Sequence, residues 1–143
     1  MPEYRRNYID GGTYFFTVVT FHRKPLFENT DNIDILISCF KNTMKKYPFT
    51  IEAIAVLPEH IHTIWTLPEN DHDYSTRWKM IKSSFSRKFR IADSGNCYSS
   101  LIRKGEKGVW QRRFWEHTIR NQEDFNRHCD YIHYNPVKHN LAD

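Results

Sequence analysis

The 143 residues carry 21 Lys/Arg against 17 Asp/Glu, a formal net charge of +4, enough chain for one self-sufficient core and too little bias for a purely polyanion-coating protein. The three cysteines, Cys39, Cys97 and Cys129, are far apart and form no CxxC pair, which excludes a disulfide scaffold or a zinc ribbon. No run approaches the roughly 20 apolar residues that span a bilayer, so one soluble cytoplasmic domain over residues 1–143 is expected, with no membrane contact.

In chain order, Gly11-Gly12 introduces Thr13 to Phe21, a stretch dense in aromatic and β-branched residues that predicts a first strand. Thr30 or Asp31 caps a first helix, in which Ile33, Leu36, Ile37, Phe40, Met44 and Tyr47 recur at spacings of three and four before Pro48. Phe49 to Leu57 and Ile61 to Leu67 are β-rich runs broken by Pro58-Glu59. They predict two paired strands rather than one interrupted strand. Ser75 caps a second helix with Trp78, Ile81, Phe85 and Phe89 on its apolar face.

Charge concentrates on that second helix. Arg77, Lys79, Lys82, Arg87, Lys88 and Arg90 lie between Thr76 and Ile91 with no acidic residue among them, and aromatic residues are interleaved. Such a face is either a solvated helix surface or a phosphate-binding one. Asp93 to Gly108 lacks any period and reads as a long loop. Phe114 to Ile119 predicts a short last strand, and Asn121 caps a third helix with Phe125, Cys129 and Ile132 on its core side, stopped before Pro136. The order β-α-β-β-α-β plus a terminal helix is an α+β, ferredoxin-like split arrangement: an antiparallel sheet with the first two helices on one face and the chemistry expected on the other.

Two groups of residues could carry chemistry. His60 and His62 alternate with Ile61 on a strand, so both imidazoles share a face and could grip one cation, or could simply be hydrogen-bonded. On the last helix Tyr131 and Asn135 are four apart and point the same way, with Tyr131 on a polar flank beside Arg127 and His128. Packing alone would also account for such a tyrosine, and Asn135 could be no more than the helix stop before Pro136.

The stretch from Leu57 to Pro68, LPEHIHTIWTLP, the run from Trp110 to Arg120, WQRRFWEHTIR, and the run from Asp130 to His139, DYIHYNPVKH, together closely resemble the REP-associated tyrosine transposases, relatives of the small single-tyrosine transposases of bacterial insertion sequences. The opening, Tyr4-Arg5-Arg6 with Gly11 to Thr17, also resembles the start of that family. The resemblance implies a histidine-hydrophobe-histidine endonuclease domain in which His60 and His62 hold Mg²⁺ or Mn²⁺ on the scissile phosphate and Tyr131 is the nucleophile, with Tyr134 a nearby decoy. Asn135 stands where related transposases carry a Gln that completes the metal site. Imidazole suits Mn²⁺ better than Mg²⁺, so Mn²⁺ should serve at least as well.

The implied activity is metal-dependent cleavage and rejoining of single-stranded or hairpin-forming DNA through a 5′-phosphotyrosine, that is, endonuclease, recombination and transposition chemistry at REP elements. The alternative is a non-cleaving hairpin DNA or RNA binding module of the same fold. Besides Arg77, Lys79, Lys82 and Arg87, the residues Arg112, Arg113 and Arg120 are expected to meet phosphates. His117 is either an orienting or DNA-contacting residue near the metal or a packed structural histidine, and Trp115 either stacks or fills the core. A monomer is expected, with a homodimer that exchanges the tyrosine helix as the alternative.

Overall fold

The computed structural model describes residues 8–92 and 108–138. Four strands, β1 (Thr13–Val19), β2 (Thr50–Val56), β3 (His60–Thr66) and β4 (Trp115–Thr118), form one sheet in the order β2-β3-β1-β4. Every neighbouring pair is antiparallel. Helices α1 (Thr30–Lys46), α2 (Tyr74–Ala92) and α3 (Gln122–Lys138) complete the split β-α-β-β-α-β order and its terminal helix. Pro58-Glu59 closes a tight β2–β3 connection in which the Leu57 N–H donates to the His60 carbonyl at 2.8 Å, so the two runs are separate, paired strands.

Alternation along β1 and β3 divides the interior into two layers. Tyr14, Phe16 and Val18 of β1 and Ile61 and Trp65 of β3 face α1 and α2, where Leu36, Phe40, Trp78, Ile81 and Phe85 join them in the main core. Trp65 and Trp78 stack at 4.5 Å and 18°, the centre of that layer. The opposite face carries Phe15 of β1 and Ile64 of β3, which pack with Ala55, Leu57, Phe125, Cys129 and Ile132 under α3. That second face is therefore only partly roofed, by the helix that carries Tyr131.

Element ends differ from the sequence expectation where a local cap or turn wins. Asn29, not Thr30 or Asp31, caps α1 by accepting from the Asp31 N–H at 2.8 Å. Asp73 accepts from the Thr76 N–H at 3.0 Å and takes the capping role expected of Ser75. β1 ends at Val19 because the chain then turns through a short 3₁₀ segment, Phe21–Arg23, with His22 at φ 54° and Arg23 at φ 53°. Helix α3 continues through Pro136 to Lys138 instead of stopping before it. Proline removes one donor, and the bias it places on the preceding residue is a preference that an established helix overrides. The loop expected over Asp93 to Gly108 lies outside the described residues up to position 107, as do Cys97, the Tyr4-Arg5-Arg6 motif and His139.

Candidate active site

Register fixes which side chains meet across the sheet. Thr17 of β1 lies opposite His62 of β3 on one side and Trp115 of β4 on the other, while Phe15 lies between Ile64 and His117. Directly paired residues share a face, so His62, Thr17 and Trp115 form one row and Ile64, Phe15 and His117 the next, both on the α3 side. His60, two positions before His62, opens onto the same face opposite Val19.

The two imidazole centroids are 4.6 Å apart, with the rings inclined at 76°. Each ring is held at Nδ1. Thr17 Oγ1 lies 3.0 Å from His62 Nδ1, and Glu59 Oε1 lies 3.0 Å from His60 Nδ1. Burial works most strongly on Glu59 and against its charged form, but the His60 hydrogen bond, the Glu59 backbone N–H and the charges of His60 and Arg23 together outweigh it and hold this carboxyl below the ordinary glutamate value. An ionised carboxylate can only accept, so His60 Nδ1 carries the hydrogen and the lone pair belongs on Nε2. A carboxylate fixing the tautomer and raising the basicity of an imidazole is the arrangement that metal-binding histidines commonly have. The donor set therefore fits a divalent cation bound through His60 Nε2, joined by His62 Nε2 when the Thr17 hydroxyl accepts from His62 Nδ1.

Tyr131 reaches this pair from α3. Its ring lies 5.1 Å from that of His62 at 63°, and 6.1 Å from Phe15, while nearly half of the side chain (48%) stays exposed. Ile132, buried in the layer beneath, sets the rotation of α3 that puts Tyr131 there. Tyr134, 61% exposed, lies on the following turn. Asn135 is four positions after Tyr131 on the same helix, and its side chain is outside the described residues.

A second polar cluster anchors the start of α3. Asn121 Oδ1 accepts from the Asp124 N–H at 2.8 Å, and the Asp124 carboxylate accepts from the Arg120 N–H at 3.0 Å and from His117 Nε2 at 2.9 Å. His128 Nδ1 lies 2.9 Å from the Asp124 carbonyl and 3.1 Å from its carboxylate. Burial opposes the charge on Asp124, yet the Arg120 N–H and the His117 contact more than offset it, and its pKa falls to about 2. The rings of His117 and His128 stack at 4.6 Å and 19°, and His128 in turn lies 4.7 Å from Phe15. Their donor atoms all lie within 4.8 Å of one another, so His117, Asp124 and His128 are a second group able in principle to hold a cation. As they stand, those atoms are satisfied by one another and latch β4 to α3.

These features have a close counterpart among known proteins. The model of the IS200-like transposase family matches residues 3–135. A REP-associated tyrosine transposase of Escherichia coli is 46% identical over 139 residues, covering 97% of this chain and 74% of the relative. A Haemophilus influenzae protein provisionally described in the same terms is 43% identical over 143 residues, covering all of this chain and 80% of the relative. The chain belongs to the IS200-like transposase family. A solved structure of a REP-associated tyrosine transposase bound to a REP hairpin superimposes with a TM-score of 0.77 at 45% identity, covering 99% of this chain and 76% of that one.

Within this transposase fold, the residues expected to bind DNA fall into different places. Arg77 is not part of a DNA-facing surface. It is 2% exposed, and its guanidinium donates to both carboxylate oxygens of Asp71 and to the carbonyls of Tyr47, Pro48 and Asp73, tying the α1–β2 connection to the start of α2. Lys79 and Arg87 are exposed, but α2 packs on the sheet face opposite His60 and His62. Lys82 is half-buried, its Nζ donating to the Gln111 carbonyl at 3.0 Å and lying 5.8 Å from the Phe114 ring centroid. Arg112, Arg113 and Arg120 are exposed at the two ends of β4. His117 is on the same face as the histidine pair, engaged by Asp124.

Sequence reasoning passed over Thr17, Phe15 and Asp124. Thr17 and Phe15 looked like ordinary members of an aromatic strand, and only cross-strand register makes them neighbours of His62. For Asp124 a signal existed: Asn121 followed three positions later by an acidic residue is a helix-start pattern. Among the described residues no helix is long and apolar enough to cross a membrane.

Proposed function

We propose that this transposase cleaves and rejoins single-stranded DNA flanking a hairpin, using Tyr131 as nucleophile and a divalent cation, Mg²⁺ or Mn²⁺, held by His60 and His62. The observation that carries the reading is the approach of the Tyr131 ring to within 5.1 Å of the His62 ring, which is itself 4.6 Å from the His60 ring. The hairpin is supported by the REP hairpin bound to the structural relative. When bound, the cation would polarise a non-bridging phosphate oxygen and stabilise charge that develops on it.

Everything else falls to the chain. Glu59 and Thr17 hold the two imidazoles with Nε2 as the ligand nitrogen. Helix α3, latched at Asp124 and packed through Ile132, holds the Tyr131 ring beside that of His62. The new bond joins Tyr131 Oη to phosphorus and the broken bond is P–O3′. The phenol loses its proton and the departing 3′-oxygen gains one, leaving a 5′-phosphotyrosine and a free 3′-hydroxyl. Asn135, one turn beyond Tyr131, is the proposed third protein ligand. Lys79, Lys82, Arg87, Arg112, Arg113 and Arg120 are proposed phosphate contacts, with those around β4 nearest the cut and those on α2 serving DNA that wraps the opposite face. Because α3 packs on β2 and β3 of its own chain, a monomer suffices.

The test is a labelled hairpin oligonucleotide with a single-stranded flank, incubated with the protein and Mn²⁺. A denaturation-resistant protein–DNA adduct is expected. Tight binding with no adduct under any divalent cation would leave the non-cleaving hairpin-binding module as the correct reading.

A further inference from the structure

Tryptophan is seldom left on the surface, and three of the four in this chain obey that rule: Trp65 and Trp78 are fully buried and Trp110 is 4% exposed. Trp115 is 56% exposed. It is the first residue of β4, and its register partner Thr17 is also the partner of His62, so the indole projects from the sheet face that carries the histidine pair. Two strand spacings, about 10 Å, separate the backbones of Trp115 and His62. Helix α3 packs against Ala55, Leu57 and Ile64 on the β2–β3 side of this face and reaches β4 at His117, while the Trp115 side chain keeps more than half of its surface exposed.

The surroundings have the charge of a nucleic-acid groove. Arg112 and Arg113 are exposed just before β4, and Arg120 is exposed just after it. An exposed aromatic plane among arginines is the pairing that non-helical single strands exploit, the base stacking on the ring while cations follow the phosphates.

We propose that Trp115 is a stacking platform for a base of the single-stranded DNA that flanks the phosphate bound at His60 and His62. The proposal rests on the cleavage reading for the location of that phosphate. Stacking there fixes the path of the strand beside the cut, so Trp115 is a positioning residue: it holds the nucleotide next to the reacting phosphate without touching the reacting atoms. Because an indole accepts any base face, it supplies affinity and register more than sequence discrimination.

The three buried tryptophans make the test selective. A hairpin oligonucleotide with a single-stranded flank, titrated into the full chain in EDTA so that no cleavage occurs, should quench tryptophan emission, and the quench should vanish in Trp115→Phe. Trp115→Ala should weaken binding of that oligonucleotide roughly tenfold, within the range for losing one base–aromatic stack, with the blunt hairpin bound as before and affinity largely restored by Phe. A quench that persists in Trp115→Phe, or equal losses on flanked and blunt hairpins, would overturn the proposal. Tyr131→Phe should quench like the wild type. A wild-type protein that quenches normally yet forms no adduct in Mn²⁺ would sink the cleavage reading and leave the stacking site standing, whereas normal adduct formation and unchanged affinity in Trp115→Ala would do the reverse.

Discussion

Tyr131 and His62 come from distant parts of the chain, yet their rings meet at 5.1 Å and 63°, with Phe15 beneath both. A phenol that keeps its proton is a poor nucleophile, so in the proposed reaction its position beside the histidine pair matters more than its intrinsic reactivity. Tyr131→Phe should abolish the covalent adduct while leaving hairpin affinity within about twofold, because only a single hydroxyl is lost and the ring keeps its contacts with His62 and Phe15. Tyr134→Phe should leave adduct yield close to wild type. If adduct formation instead depends on Tyr134 and survives in Tyr131→Phe, the nucleophile has been misassigned.

Glu59 gives a prediction that separates charge from shape. Glu59→Gln keeps an oxygen that can accept from His60 Nδ1 but removes the negative charge that makes the imidazole a stronger ligand. Losing such a partner commonly costs 10–100-fold in metal affinity. The Mn²⁺ concentration for half-maximal adduct should therefore rise by about that factor, with yield recovering at saturation. An unchanged Mn²⁺ dependence would reduce Glu59 to a bystander.

Arg77 and Lys79 are close in sequence and should behave in opposite ways. Arg77→Ala removes the buried guanidinium, taking the partner from the one-third-exposed Asp71 carboxylate and the donors from the Tyr47 and Pro48 carbonyls. Each buried polar group left unsatisfied costs about 1–3 kcal/mol, so chemical denaturation should show a markedly destabilised protein. Lys79→Ala, at an exposed position, should melt within about 0.5 kcal/mol of wild type and show its effect, if any, in the salt dependence of DNA binding. Equal stability of Arg77→Ala and wild type would contradict the structural role.

The contrast also shows what the sequence could and could not reveal. Strand alternation placed His60 and His62 on one face, and helical spacing placed Tyr131 beside the polar flank of α3, because both patterns are local. That Arg77 is inside follows only from the carbonyls of the α1–β2 connection converging on it, which no local pattern encodes. The split β-α-β-β-α-β order did set α2 on the sheet face away from the histidines, but the apolar stripe alone did not say which of its basic residues turn inward. Thr17 and Trp115 became neighbours of the site only through register, a property of three strands together.

Asp124 ties stability to pH. Its carboxyl titrates at about 2 in the folded chain, against an ordinary value of 3.8, because the Arg120 N–H and His117 favour the ionised form by more than burial disfavours it. A carboxyl with a depressed folded pKa contributes its stability above the unfolded value and loses it as pH falls through the folded one. The contribution of Asp124 should therefore be complete above about pH 4 and decline toward pH 2. Asp124→Asn, which cannot ionise, should be less stable than wild type at pH 6, and the gap should close progressively below about pH 4. Paired urea melts across that range measure it directly. A gap that stays constant from neutral pH to about pH 2 would mean that Asp124 holds α3 to β4 through shape alone, without its charge.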